Sequence, residues 1–240
     1  MFNIILFAFT CFFAAIIQTL CGFGSGVFIM SVMPHFFHSY SLSLVLSTVT
    51  SLIMCVIILA KIYKYANIRM IIPLIIGCVS TITAIMCFWS GEADATMKKI
   101  LGVFLVLLSL YFIFFNRSIK VVPTFSAGLL SGVSGGTANS LFSMGGPPVV
   151  VYMIAAAKDN KEYLASSQVY FCISGFYVTI SRYMRGMVTE EVWPLFLAGL
   201  PFVFLGTWLG MKLFGILDGE KLRLIVYVFM AASGAVMILS

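Results

Sequence analysis

The sequence LFSMGGPPVVVYMIAA, residues Leu141–Ala156, places two glycines and two prolines inside a long apolar run. Both residue types interrupt helices, because glycine adds backbone freedom and proline lacks an amide donor. Inside hydrocarbon, a break leaves backbone groups unpaired, which costs several kcal/mol for each group. The segment must therefore be buried within protein or face a water-filled cavity.

The composition identifies an integral membrane protein. Of its 240 residues, 62% are hydrophobic and 9% are charged, which is more apolar surface than a soluble domain could bury. The fourteen Lys and Arg residues occur in short clusters between apolar runs, as is typical of membrane flanks. We therefore expect the lipid bilayer as a partner and no nucleic acid. The six cysteines lack metal-binding spacing, so no metal or cofactor is predicted.

Eight hydrophobic segments can be distinguished. Six approach the roughly 20 residues that cross a hydrocarbon core about 30 Å thick. They lie at about 41–60, 70–89, 99–115, 163–181, 192–211 and 222–239. The other two, 2–38 and 121–157, are longer and interrupted near the middle. The first break is CGFGSG at Cys21–Gly26, and the second runs through SGVSGGTANSLFSMGGPP at Ser131–Pro148.

The order of these segments predicts an internal repeat. Residues 1–116 and 117–240 each contain one broken segment followed by three helices. The stretch FAAIIQTLCGFGSG at Phe13–Gly26 loosely matches FSAGLLSGVSGG at Phe125–Gly136. We predict an all-α membrane protein of about ten helices, half-helices included, because interrupted helices in corresponding places of two repeats are typical of secondary transporters.

The basic residues favour a topology. If both broken segments cross the membrane, the fourteen Lys and Arg divide equally between the two sides. If both turn back as re-entrant hairpins, one side collects ten and the other four. The positive-inside bias favours the hairpins and places the side with ten basic residues in the cytoplasm. The two repeats are then inverted relative to each other, and both termini lie on the outer side of the cell membrane.

The chemistry at the breaks favours an anion. Half-helices are expected to start near Val27 and Pro148, and helix N-termini offer unpaired amides and a partial positive charge. Glycine lets a ligand approach this backbone closely, and the nearby polar side chains are neutral. The predicted substrate-binding residues are Gln18, Thr19, Gly22, Gly24, Ser25, Gly26, Ser131, Asn139, Ser143, Gly145, Gly146 and Pro147.

A few further residues have two interpretations each. Arg182 and Arg185 could extend their charges to the membrane surface, or could form a basic vestibule that concentrates anions. His35 and His38 could carry a coupling proton or could simply lie at the interface. Cys21 could contact a sulfur-containing substrate or serve as an apolar helix residue. Coupling to a proton through these histidines is therefore one expectation, and the oligomeric state is left open.

These motifs resemble the TauE/SafE sulfite exporter family, whose two repeats each open with a glycine-rich element followed by proline. The corresponding elements are GFGSGVFIMSVMP at Gly22–Pro34 and the second break, and SRYMRGMV at Ser181–Val188 is a further match. The first element has Ser25 where a third glycine is usual, and the second is lengthened by TANSLF. The resemblance implies export or uptake of sulfite, thiosulfate, sulfonates or related small anions, with coupling to protons or to the membrane potential as an expectation.

Two other classes of function share some of these sequence features. An intramembrane serine hydrolase would pair Ser25 with His35, but ten residues of helix separate them by about 15 Å, so we do not predict an enzyme. An anion channel would need the same polar path. Interrupted inverted repeats favour a secondary transporter, in which one repeat rocks against the other.

Overall fold

The computed structural model of the chain describes residues 2–37, 39–88, 94–115, 122–213 and 219–239. Within these ranges the regular structure is entirely helical, with ten α-helices and a short 3₁₀ turn at Tyr63–Tyr65. The all-helical prediction is confirmed. The helices are α1 Phe2–Cys21, α2 Ser25–Phe36, α3 Tyr40–Ile62, α4 Ile68–Phe88, α5 Asp94–Phe115, α6 Phe125–Phe142, α7 Gly146–Ala156, α8 Asn160–Met184, α9 Val192–Leu213 and α10 Gly219–Leu239.

Four helices among the described residues are long and apolar enough to cross a membrane. They are α1, α3 with its 3₁₀ extension, α4 and α9. The predicted span at 163–181 lies in α8, which has 25 residues but does not meet the same standard of hydropathy. Its polar side chains Ser166, Ser167 and Gln168 are fully buried, so α8 carries a buried polar stretch and is not a plain apolar span. The predicted spans 99–115 and 222–239 coincide with α5 and α10, and part of each lies outside the described side chains.

The first helix break is built on glycine. Helix α1 ends at Cys21, and Gly22 and Gly24 follow with φ of 80° and 108°, a backbone region that favours glycine. Helix α2 then starts at Ser25, two residues before the predicted start near Val27. Its 12 residues are too few to cross the hydrocarbon core.

The second break is shorter than predicted. Helix α6 continues to Phe142, so only residues 143–145 are non-helical between α6 and α7. Ser143 ends α6 with a φ of 56°, and Pro147 and Pro148 lie in the first turn of α7, where a missing amide costs nothing. The glycines of α6 serve packing instead, since a Cβ on Gly132 would lie 2.2 Å from the carbonyl oxygen of Leu74. The predicted break at Ser131–Pro148 is therefore wrong over most of its length.

Helix α1 lies parallel to α9. A Cβ on Gly199 would lie 2.8 Å from the ring of Phe7. Further along both helices, a Cβ on Gly210 would lie 2.8 Å from Cβ of Thr19. The contacts advance in the same direction along the two helices. The absence of side chains at these positions lets the backbones approach closely, as is common between membrane helices.

Helices α6 and α4 pack in the same parallel manner. Gly132 lies against Leu74, and Gly136 lies against Cys78 further along. In contrast, α5 and α10 are antiparallel, because Gly102 approaches Gly234 while the Ser109 hydroxyl donates to the carbonyl of Tyr227. The chain positions in the two helices therefore run in opposite order.

Helices α3 and α8 form the second antiparallel pair. Leu44 near the start of α3 contacts Arg182 near the end of α8, and Leu52 approaches Gly175. Beyond α3, the amide of Asn67 donates to the Ser166 hydroxyl near the start of α8. The pair lies at the centre of the helix packing, between α4 on one side and α9 on the other.

Candidate functional site

A cavity of about 50 Å³ lies between the two helix breaks and the middles of α3 and α8. This is the space open to the centre of a water molecule, and each buried water needs about 10–15 Å³ of it. The cavity therefore has room for about four waters or one small anion. The lining comprises Gln18, Phe23, Gly24, Ser25, Gly26, Val27, Thr48, Ser51, Leu52, Cys55, Asn139, Ser143, Met144, Gly145, Gly146, Phe171, Ser174 and Gly175. Both breaks therefore meet at one polar cavity.

The two breaks touch through their backbones. A Cβ on Gly26 would lie 2.1 Å from the carbonyl oxygen of Ser143. A Cβ on Gly146 would lie 3.3 Å from Cβ of Phe23, so the contact is close in both directions. Only glycine at position 26 permits this approach. The start of α2 is held directly against the end of α6.

A pair of buried glutamines holds the first break. The side-chain oxygen of Gln18 accepts from the amide of Ser25 at 3.2 Å and from its hydroxyl at 2.9 Å. The Gln18 amide donates to Gln168 at 3.2 Å, and Gln168 donates to the carbonyl of Gly22 at 2.8 Å. Both side chains are almost fully buried, at 2% and 0% exposure. The α1 end, the α2 start and α8 are thus fixed to one another.

Arg182 is buried behind the cavity and is 1% exposed. Its guanidinium donates to the carbonyls of Asn139 and Ser140 at 3.0 Å, in the last turn of α6. It also donates to the carbonyl of Leu44 at 3.1 Å. A cation at a helix C-terminus satisfies carbonyls that lack helical partners and complements the helix dipole. The expectation that Arg182 lies at the membrane surface, hydrated or in a vestibule, is therefore wrong.

Two hydroxyls connect Arg182 to the cavity. The guanidinium donates to the Ser143 hydroxyl at 2.9 Å and to the Thr48 hydroxyl. These two hydroxyls lie 2.8 Å apart, and both residues line the cavity. Elsewhere in the lining, the hydroxyls of Ser25 and Ser51 lie 2.8 Å apart. The polar part of the cavity wall consists of hydroxyls, amides and backbone, beside the apolar side chains of Phe23, Leu52 and Phe171, with a cation one layer behind.

Four of the twelve predicted substrate-binding residues do not line the cavity, and neither does the separate candidate Cys21. The four are Thr19, Gly22, Ser131 and Pro147. The Thr19 hydroxyl donates to the carbonyl of Ala15 and the residue packs on α9. The carbonyl of Cys21 accepts from the Tyr163 hydroxyl at 3.0 Å. Ser131 lies within α6, away from the break, because α6 is longer than expected. These residues support the breaks or lie elsewhere.

The remaining candidates lie apart from the cavity. His35 is near the far end of α2, where its Nε2 lies 3.0 Å from the Ser233 hydroxyl of α10. Arg185 follows α8 and is exposed. His38 lies outside the described residues. Neither His35 nor Arg185 lines the space between the breaks.

Sequence reasoning missed the contributions of α3 and α8. Thr48, Ser51 and Cys55 line the cavity from α3, and the run STVTSL at Ser47–Leu52 was a signal for a polar centre in that helix. In α8, Arg182 lies eleven residues after Phe171 and seven residues after Gly175, both of which line the cavity. Both spacings place residues on one face of a helix, so the side of α8 facing the cavity could have been identified.

Comparison with known proteins supports the expected family. The model of the sulfite exporter TauE/SafE family matches residues 7–237, which is nearly the whole chain. No curated protein and no solved structure gives a significant match. The match spans both helix breaks, all ten helices in whole or large part, and the glycine-rich elements that carried the resemblance. The chain belongs to the sulfite exporter TauE/SafE family of membrane transporters.

Proposed function

We propose that this protein is a secondary transporter that binds a small anion between its two helix breaks. The expected substrates are sulfur oxyanions or organosulfonates, such as sulfite, thiosulfate or a sulfoacetate-like compound, in keeping with the family description. The observation that carries the proposal is a cavity whose lining includes residues of both breaks and several hydroxyl and amide groups. No catalytic role is proposed, and the family is one of exporters.

The chemistry of the cavity suits an anion that must bind and leave. Gly26 and Val27 of α2 and Gly145 and Gly146 at α7 line it, so two helix N-termini face the same space. Their amides and dipoles favour negative charge. Hydroxyls of Ser25, Ser51, Thr48 and Ser143 also line it. In this structure the Ser25 hydroxyl is bonded to Gln18 and Ser51, and those of Thr48 and Ser143 donate to Leu44, so a ligand would exchange these bonds for its own. No charged side chain forms part of the described wall, which limits the strength of binding and allows release.

The helix directions support inverted repeats. Helix α9 follows α8 through a short loop, so it runs opposite to α8. Because α8 is antiparallel to α3, α9 runs in the same direction as α3. Because α1 is parallel to α9, α1 and α3 also run in one direction, and α2 between them must return. The same reasoning through α4 and α6 makes α7 a returning segment. The proposed repeats, 1–116 and 117–240, thus each contain one hairpin, and the two repeats are of opposite orientation.

The two arms of each proposed hairpin differ in length. The 20 residues of α1 and the 18 of α6 extend for about 30 and 27 Å, near the thickness of the hydrocarbon core. The returning α2 and α7 have 12 and 11 residues, which reach only about 18 and 17 Å. With α2 and α7 ending at the membrane surface, the breaks lie that deep within the membrane. The distribution of basic residues supports both termini outside the cell membrane.

Ligand binding tests the proposal directly. The purified protein is heated with sulfite, thiosulfate, methanesulfonate or acetate, each as the sodium salt at equal ionic strength. A ligand present at one hundred times its Kd stabilises the folded state by about 2.7 kcal/mol. We expect a higher melting temperature with at least one sulfur anion. If none of the anions raises the melting temperature, the proposed anion site is wrong.

Transport requires a separate measurement. Protein reconstituted in proteoliposomes should accumulate radiolabelled sulfite down an imposed gradient. Dependence of the rate on an imposed proton gradient or membrane potential would identify the coupling. Unitary currents in a planar bilayer would instead identify the protein as an anion channel, which contradicts alternating access.

A further inference from the structure

We infer that the buried charge of Arg182 gives the cavity its selectivity for anions and that the bound anion acts as its counter-ion. The inference rests on the proposed anion site and assigns the source of its charge preference. Arg182 is 1% exposed and lies on α8, directly behind the hydroxyls that line the cavity. It is a positioning and charge-supplying residue rather than part of the cavity wall.

The charge of Arg182 has no acidic partner in the part of the chain that the structure describes. Its five hydrogen bonds go to the carbonyls of Leu44, Asn139 and Ser140 and to the hydroxyls of Thr48 and Ser143. Its Nε is buried and donates to nothing. Buried ions are normally paired, because an unpaired charge in a protein interior costs several kcal/mol.

The α6 C-terminus compensates this charge only in part. Its dipole corresponds to about half an elementary charge, shared with solvent and neighbouring groups. The Tyr40 hydroxyl already satisfies another carbonyl of the same turn, that of Leu141, at 2.7 Å. An excess of positive charge therefore remains behind the cavity. An anion in the cavity would complete the compensation.

The Thr48 and Ser143 hydroxyls connect the guanidinium to the ligand. Each hydroxyl oxygen accepts from Arg182, and each hydroxyl donates to the carbonyl of Leu44, at 2.9 and 3.0 Å. Because that carbonyl also accepts from Arg182, it keeps a partner when a ligand oxygen in the cavity takes either hydroxyl hydrogen. A donor that itself accepts from a cation is polarised and binds an anion more strongly. The side chains thus form two short relays from guanidinium to hydroxyl to ligand oxygen.

The expected size of the effect follows from distance. A ligand oxygen bonded to the Ser143 hydroxyl would lie about 6 Å from the guanidinium charge. At an effective dielectric constant of about 20, a unit charge at that distance changes anion affinity by about 100-fold. Removal of the charge should therefore weaken anion binding by roughly that factor.

Four proteins test this inference, with the Kd for sulfite measured by calorimetry on detergent-purified samples. They are the wild type, Arg182→Gln, Arg182→Lys and Arg69→Gln, the last replacing an exposed arginine at the start of α4. We expect wild-type affinity in Arg69→Gln, a loss of about 100-fold in Arg182→Gln and a loss of less than about tenfold in Arg182→Lys. Lysine keeps the charge but loses the planar fork that binds several carbonyls.

A role confined to capping α6 would give a different pattern, because both substitutions at position 182 remove the fork. Equal losses in Arg182→Lys and Arg182→Gln, or no loss in Arg182→Gln, would overturn the inference. If Arg182→Gln does not fold, Thr48→Val removes one relay at constant shape and should weaken sulfite binding about tenfold. Unchanged affinity in that variant would refute the relay. Failure of the wild type to bind any anion would instead contradict the proposed function.

Discussion

Gly26→Ala tests the contact between the two breaks. Alanine normally stabilises a helix relative to glycine by roughly 0.5–1 kcal/mol, and Gly26 lies in the first turn of α2. Here its Cβ would lie 2.1 Å from the carbonyl oxygen of Ser143, whereas ordinary contact begins at 3.4 Å. The two breaks must then separate by about 1.3 Å. The obstacle is backbone of another helix, so no side-chain rotation can relieve it.

The cost of this separation can be placed in a range. Overpacking of a close-packed interior costs about 1–3 kcal/mol. For a chain of this size, each kcal/mol corresponds to roughly 2–4 °C, so the melting temperature should fall by about 5 °C. A ligand that bonds both breaks at about 2.9 Å would also lose one side, because a further 1.3 Å exceeds hydrogen-bond range. We expect sulfite affinity to fall by at least about tenfold.

Gly175→Ala is the matched control for stability. Gly175 also lines the cavity, from α8, but its added Cβ would lie 3.5 Å from Cδ1 of Leu52, an ordinary contact. Its melting temperature should be equal to or above that of the wild type. The assay is thermal unfolding of purified protein with and without sulfite. A Gly26→Ala variant as stable as Gly175→Ala, with unchanged sulfite stabilisation, would refute the close contact between the breaks.

Three further changes test other parts of the structure. Gln168→Leu removes the donor to the buried carbonyl of Gly22 and should destabilise the protein by about 1–3 kcal/mol. The measurement is the melting temperature, and a variant as stable as the wild type would contradict this hydrogen bond. Cys87 is exposed whereas four of the six cysteines are buried, so a membrane-impermeant maleimide should label it on intact cells; labelling only after permeabilisation would reverse the proposed orientation. The amide of Lys158 and the side chain of Asn67 donate to Glu162 and hold its pKa below the ordinary value of 4.5. Its stabilising effect is then present above pH 4.5 and lost as pH falls through the lowered pKa, so Glu162→Gln should lower the melting temperature at neutral pH and match the wild type in acid.

The positions of the breaks were largely predictable, but their extent was not. Helices α2 and α7 start within two residues of the expected positions, because glycine and proline act locally on the backbone. The glycines of α6 look the same in sequence, yet Gly132 permits contact with Leu74 and leaves the helix intact. Small residues in a membrane helix indicate either a break or a close helix pair, and the neighbour that decides between them is remote in sequence.

The walls contributed by α3 and α8 depend on helix packing and were not predicted. The Thr48 hydroxyl lies 2.9 Å from the carbonyl of Leu44, four residues earlier, so the sequence alone is compatible with a self-satisfied helix residue. Arg182 was assigned to a membrane surface because it lies near a helix end. Its burial depends on the last carbonyls of α6, forty residues away in the chain, and no local pattern encodes that contact.

The close helix contacts cross the proposed repeats and restrict how the protein can move. A Cβ added to Gly206 of α9 would lie 2.4 Å from the carbonyl oxygen of Phe12 in α1. A Cβ added to Gly132 of α6 would lie 2.2 Å from the carbonyl oxygen of Leu74 in α4. Each proposed hairpin is therefore wedged against a helix of the other repeat. Rocking of residues 1–116 against 117–240 as two separate bodies would have to break both contacts. Movement that preserves them would carry α1 together with α9 and α6 together with α4, so an opening of the cavity would have to separate the two breaks where Gly26 lies against Ser143.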